Sequence, residues 1–193
     1  MEQSTKKHII TIAGGLGSGK SSTAKLVASK LGYTHYSAGD LMRQIGREQG
    51  IEDIRTLNLS IEGKADVDHQ VDERTKKIGR EQDEVVFDGH MAGHMLPQSF
   101  RVYLTLPYDV AAERILAGIT PERRVSEHIP DNQNAYMDIL NERLQSNIRR
   151  YTELYGVNPY QPELYDFVVD TSQFSLEEVA DKVIEAFWQW YQR

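Results

Sequence analysis

Residues Gly14, Gly15, Leu16, Gly17, Ser18, Gly19, Lys20 and Ser21 match G-x-x-x-x-G-K-[ST], and the flanks of this match constrain the fold more than any other feature of the chain. Before it, His8-Ile-Ile-Thr-Ile-Ala13 is a short β-branched run without alternation, the pattern of a parallel strand covered on both faces. After it, Ala24, Val27, Ala28 and Leu31 recur at helical spacing, and Gly32 follows as a C-cap. Strand, glycine loop and helix in this order build a phosphate cradle. The glycines let backbone N–H groups close around an anion, and the helix N-terminus adds a favourable dipole. Lys20 is placed to bridge β- and γ-phosphates, the Ser21 hydroxyl to ligate magnesium, and Ser22 to support the α-phosphate. ATP and Mg2+ are therefore the expected cofactors. A glycine-rich turn that merely precedes a helix would match the four fixed positions in well under about one such chain in a hundred. A dinucleotide-binding turn would leave the lysine and the hydroxyl without a role.

Strands keep alternating with helices beyond this point. Tyr33 to Ser37, Glu84 to Asp88, Arg101 to Leu106 and Asp166 to Asp170 read as four more short strands, separated by segments long enough for crossover helices. Asp40 to Glu48 and Ile61 to Gln82 have helical patterns. Ser175 and Glu178 have capping-box spacing ahead of an apolar stripe at Val179, Val183, Ala186, Phe187 and Trp190. The predicted class is α/β: a P-loop NTPase three-layer α/β/α sandwich with a five-stranded parallel sheet, a helical flap and a short lid. At 193 residues the chain fits one domain, 1–193. Its ligand is expected at the carboxyl ends of the strands.

Charge and composition narrow the partners. With 29 acidic against 22 basic residues the formal net charge is -7, which disfavours a nucleic-acid polymer. No apolar run reaches membrane-spanning length, and Met1 to Lys7 is too polar to begin a secretory signal. The absence of cysteine removes thiolate nucleophiles, thiolate metal sites and disulfides. A monomeric cytoplasmic protein acting on a small molecule is the expectation.

Three further constellations carry chemistry. Tyr36-Ser37-Ala38-Gly39-Asp40-Leu41-Met42-Arg43 follows the second strand, so Arg43 can offer a planar fork to an acceptor phosphate. Ser37 as a plain helix cap and Arg43 as a solvated side chain is the alternative. Phe87-Asp88-Gly89-His90 ends a buried strand, where the Asp88 carboxylate can hold magnesium through water or receive a hydroxyl proton from an acceptor. His90 and His94 lack the third ligand a zinc site needs. In Asn141 to Tyr151, Arg143, Asn147 and Arg150 share a helical face, so two guanidinium groups can converge on a transferring phosphoryl group. A solvated helix balanced by Glu142 and Glu153 is the alternative there. Arg123 and Arg124 are further lid candidates.

The P-loop, the Ser-Ala-Gly-Asp-x-x-Arg segment at Ser37 to Arg43 and the Asp-Gly-x-x-x-Gly turn at Asp88 to Gly93 occur in one order with a carboxyl-terminal series. That series is Ser146-x-x-x-Arg150-Tyr151, Tyr155-Gly156-Val157, Tyr165-Asp166 and Asp170-Thr171-Ser172. Together they resemble the cytidylate kinase family, especially its compact archaeal-type branch, over most of the chain; only Gly118 to Tyr136 has no clear counterpart. The resemblance implies ATP-dependent phosphorylation of CMP or dCMP. It implies Ser37, Asp40 and Arg43 at the acceptor monophosphate, Arg143 and Arg150 in the closing lid, and a mobile nucleoside monophosphate-binding flap at 39–80. With the readings above, the expected acceptor residues are Ser37, Asp40, Arg43, Asp88 and His90, the expected catalytic residues Lys20, Arg143 and Arg150, and the expected lid region 117–147. His90 stands where the family usually has arginine, and Asn147 where it usually has glutamate. Lys20 is a lysine that some archaeal-type members replace with threonine. Phosphorylation of another small acceptor, such as a coenzyme precursor, and a nucleotide-binding switch are the other readings.

Overall fold

In the computed structural model, which describes residues 6–50, 65–120, 124, 129–130 and 132–193, strand β1 (Ile9–Gly14) is buried along all six of its residues. Helix α1 (Lys20–Leu31), β2 (Thr34–Ser37), α2 (Ala38–Glu48) and α3 (Ala65–Glu81) follow. Next come β3 (Val85–Asp88), α4 (Ala92–Met95), β4 (Phe100–Thr105) and α5 (Tyr108–Gly118). The long α6 (Gln133–Tyr155), a 3-10 turn at Pro162–Leu164, β5 (Phe167–Asp170) and α7 (Leu176–Tyr191) complete the chain. Positions 61–64 of the helix expected over 61–82, and Arg123, lie outside the described residues.

All five strands are parallel, in the order β2-β3-β1-β4-β5. The chain therefore leaves β1 toward one edge and returns to its other side at β4, which opens a crevice at the carboxyl end of β1. Register aligns the working residues there: Asp88 pairs with Ile12 on one side and with Ser37 on the other. Gly14 pairs with Leu104, and a Cβ on Gly14 would stand 2.4 Å from the Leu104 carbonyl oxygen, so β1 can turn into its loop only where no side chain intervenes.

Helices cover both faces. Ile10, Ile12, Val102 and Leu104 pack against Ala24, Val27, Val183 and Phe187 of α1 and α7. Ile9, Val85 and Phe87 pack on the other face with Ala92 and Leu96. Two smaller cores adjoin these: Ile45, Val67 and Val71 join α2 to α3 and share Ala38 and Leu41 with the second face, while Ala112, Tyr136 and Leu140 join α5 to α6. Helix α7 starts with the expected capping box, Ser175 N–H donating to Glu178 Oε2 at 2.8 Å and Glu178 N–H to Ser175 Oγ at 3.3 Å. Among the described residues no helix is long and apolar enough to cross a membrane.

Phe187 has no exposed surface and meets Phe100 at 5.9 Å between ring centroids, so it bridges α7 to the sheet. Phe187→Ala is expected to destabilise the fold by roughly 3–5 kcal/mol in chemical denaturation. An effect below about 1 kcal/mol would show that α7 is not part of the cooperative core.

Candidate active site

The loop between β1 and α1 folds around its own Gly15 carbonyl. That oxygen accepts from Ser18 Oγ at 2.8 Å, Ser18 N at 3.3 Å and Lys20 Nζ at 3.0 Å, while Gly15 N–H donates to the Leu104 carbonyl at 3.2 Å. Gly19 precedes α1 with φ 83°, a conformation glycine adopts without steric cost. Leu16 packs against the α5–α6 core, so the loop touches the region expected to form a lid. Burial pulls the Lys20 ammonium down to about 8; the nearby Asp88 carboxylate opposes the shift and Arg143 adds to it. Ser21 and Ser22 are exposed in the first turn of the helix.

Asp88, 4% exposed, sits at the end of β3 with donors on both carboxylate oxygens. Ser21 Oγ donates to Oδ2 at 2.8 Å and Ser37 Oγ to the same oxygen at 3.3 Å. His35 Nε2 lies 2.6 Å from Oδ1. Ser37 occupies the N-cap position of α2 but makes no side-chain cap bond, so its hydroxyl is directed at Asp88 rather than at the helix. Sequence reading passed over His35. The signal was there: residues two apart on a strand share a face, which puts His35 beside Ser37. Two hard oxygen donors at this spacing suit magnesium, an ion that takes one or two protein oxygens and fills its remaining positions with water and phosphate.

The long helix α6 brings Arg143 and Arg150 to the same place. Burial holds the His90 imidazole well below its ordinary range, and the positive charges of Lys20, Arg143 and Arg150 push it further down, so all three cations lie within electrostatic reach of this ring. His90 also meets Tyr160 at 5.1 Å and Tyr151 at 6.2 Å between centroids, and Asn147 Nδ2 donates to Tyr160 Oη at 3.0 Å. Arg150 Nη2 donates to Tyr151 Oη at 3.0 Å, and its Nε stands 3.8 Å from Asp68 Oδ2. Among the described residues neither that Nε nor that Oδ2 has a hydrogen-bond partner. One turn further along α3, Asp72 Oδ2 accepts from Tyr155 Oη at 2.6 Å. Burial raises both aspartates; Arg150 opposes the shift at Asp68, and the Tyr155 bond opposes it at Asp72. These two carboxylates were also missed, because only the packing of α3 on α6 gives them their partners.

The remaining expected residues lie around this centre. Asp40 and Arg43 form an ion pair on the exposed side of α2, one turn apart. His90 and His94 line a small cavity with Arg101 and Tyr165. Among the described residues no group of three His, Asp or Glu is gathered to hold a metal ion unaided.

A model of the AAA domain family matches residues 13–129. The cytidylate kinase of Haloarcula marismortui is 31% identical over 180 residues, covering 92% of this chain and 88% of that protein. That of Sulfolobus acidocaldarius is 32% identical over 177 residues, covering 91% of each. Among solved structures, the shikimate kinase of Bacteroides thetaiotaomicron superposes with a TM-score of 0.64 at 17% identity, covering 92% of this chain and 96% of that one. A gluconokinase from Sinorhizobium meliloti gives 0.60 at 15%, covering 97% and 95%. These two structural likenesses establish the P-loop kinase fold, and the sequence matches go further: the chain belongs to the AAA domain family and to the cytidylate kinases.

Proposed function

We propose that this chain transfers the γ-phosphoryl group of ATP to CMP or dCMP, producing ADP and CDP or dCDP. The observation that carries the reading is the P-loop with Lys20 bonded to the Gly15 carbonyl and Ser21 to Asp88, and Arg143 and Arg150 within electrostatic reach of the same centre, in a chain 31% and 32% identical to proteins named cytidylate kinases.

In this reading the loop from Gly14 to Ser22, through the N–H groups it does not bond within the fold, and the Lys20 ammonium hold the phosphates of ATP, with Ser22 at the α-phosphate. An oxygen of the acceptor phosphate forms a bond to the γ-phosphorus as the bond to the β–γ bridging oxygen breaks, and ADP leaves with that electron pair. Arg143 and Arg150 stabilise the charge spread over the transferring group. Ser37, Asp40, Arg43, Asp88 and His90 form the acceptor side. His90 stays uncharged at neutral pH because burial and three cations oppose its protonation, so it contributes a ring hydrogen bond and leaves the charge to the arginines. Magnesium, held by Ser21 and Asp88, would neutralise charge across the β- and γ-phosphates. Residues 39–80 act as the acceptor flap and 117–147 as the lid of a single domain. Each has a small apolar core of its own, joined to the rest of the chain at a few residues, Ala38 and Leu41 on one side and Leu16 on the other, which supports this reading. Closure excludes the water that would otherwise compete with the acceptor. The reading carries with it a monomeric enzyme of the cytoplasm.

Phosphorylation of another small acceptor is the competing reading, favoured by His90 standing in the place of an arginine. Coupled ADP release with ATP and Mg2+ separates the two. CMP or dCMP should turn over faster than UMP, AMP, GMP, shikimate or dephospho-coenzyme A. Faster turnover of any of those others would overturn the assigned acceptor.

Lys20→Ala should lower kcat by about 100-fold or more without changing the melting temperature, because the lost charge acts on the transferring phosphate. Full activity in that variant would contradict the mechanism. Arg43→Ala should raise the KM of the acceptor roughly tenfold while the KM of ATP stays near its wild-type value; equal effects on both would remove Arg43 from the acceptor side. Because the folded protein holds Lys20 down to about 8, the free enzyme loses this charge as pH rises through that value. ATP affinity by calorimetry should therefore weaken above about pH 8, and a constant affinity up to pH 10 would mean that Lys20 does not meet the phosphates.

A further inference from the structure

We infer that His35 is a positioning residue for phosphoryl transfer, acting through Asp88. The inference rests on the reading of Asp88 as the carboxylate beside the magnesium and the transferred group. His35 lies two residues before Ser37 on β2, and Ser37 is the register partner of Asp88, so both side chains rise on the face where the carboxylate stands. The imidazole Nε2–H donates to Oδ1 at 2.6 Å, and only 17% of the His35 side chain and 6% of the Asp88 side chain are exposed.

The three donors on Asp88 are not equivalent. Ser21 sits on the exposed first turn of α1, and its hydroxyl must turn toward a metal when one is held there. Ser37 reaches Oδ2 only at 3.3 Å. That leaves His35 as the shortest contact and the sole donor to Oδ1 among the described residues. A carboxylate rotates about its Cβ–Cγ bond with a broad twofold preference. With Oδ1 pinned from below, Oδ2 stays aimed at Ser21 whether or not the hydroxyl remains bonded to it. Groups that orient a ligating carboxylate in this way typically change metal affinity or activity about 10–100-fold when removed.

The test compares His35→Leu, His35→Gln, Asp88→Asn and the double variant His35→Leu/Asp88→Asn in the full-length protein. Mn2+ affinity of the protein with ADP is read by electron paramagnetic resonance, next to kcat and the KM of CMP. His35→Leu should weaken Mn2+ binding and lower kcat about 10–100-fold while the KM of CMP moves less than about twofold. His35→Gln, whose amide nitrogen can replace Nε2, should recover most of both losses. Should His35→Leu fail to fold, His35→Gln against the single Asp88→Asn variant decides the matter, since glutamine keeping Mn2+ affinity near wild type is required. In the Asp88→Asn background, His35→Leu should add nothing. Wild-type Mn2+ affinity in His35→Leu, a loss in His35→Gln equal to that in His35→Leu, or an equal loss from His35→Leu in both backgrounds overturns the inference alone. Wild-type behaviour of Asp88→Asn overturns the reading of Asp88, and the inference with it.

Discussion

A carboxylate buried at the end of a strand must be given donors, and Asp88 is where this chain meets that demand. An unpaired ionised group there would cost several kcal/mol, so its partners are a condition of folding as well as of chemistry. Each partner comes from a different part of the topology. Placing β3 between β1 and β2 brings Ser37 and His35 alongside, and running α1 back over the sheet from the P-loop brings Ser21. The strand order that opens a crevice at β1 is the same order that satisfies Asp88. The Asp88 carboxylate and the glycine loop are thus brought together by one set of crossovers.

Charge balance shapes the other half of the centre. The charges of Lys20, Arg143 and Arg150 all act on the buried His90 ring and oppose its protonation. Opposite them, α3 presents Asp68 and Asp72, which burial holds above the usual carboxylate range. A raised carboxyl contributes stability that is lost as pH rises through its folded value, so these aspartates weaken the resting fold at neutral pH rather than strengthen it. What they contribute is position: Asp68 faces the Arg150 guanidinium and Asp72 accepts from Tyr155, so α3 and α6 meet through polar contacts. Such an interface can separate without exposing a large apolar surface, as the proposed flap and lid require.

How much of this was legible in the sequence depended on range. The P-loop, the β1 run and the Ser175–Glu178 capping box were readable because each is set by a few adjacent residues and a single periodicity. The face shared by Arg143 and Arg150 was readable from helical spacing alone. His35 was overlooked because its role depends on β2 lying beside β3, a pairing across 53 positions that no local pattern reports. Asp68 and Asp72 were not singled out because the helical pattern over Ile61 to Gln82 gives them no partner, and their contacts with Arg150 and Tyr155 come from α6. Ser37 illustrates the intermediate case. Its place before a helix fits a cap, and the register with Asp88 turns its hydroxyl elsewhere.

The account stands or falls on where the phosphoryl group goes. Phosphorus NMR of the protein incubated with ATP, Mg2+ and CMP follows every phosphorus atom in one sample. The account requires CDP and ADP to grow in equal amounts as ATP and CMP decline. Appearance of ADP with inorganic phosphate and no CDP would contradict it, since the site would then be transferring to water or cycling as a nucleotide switch.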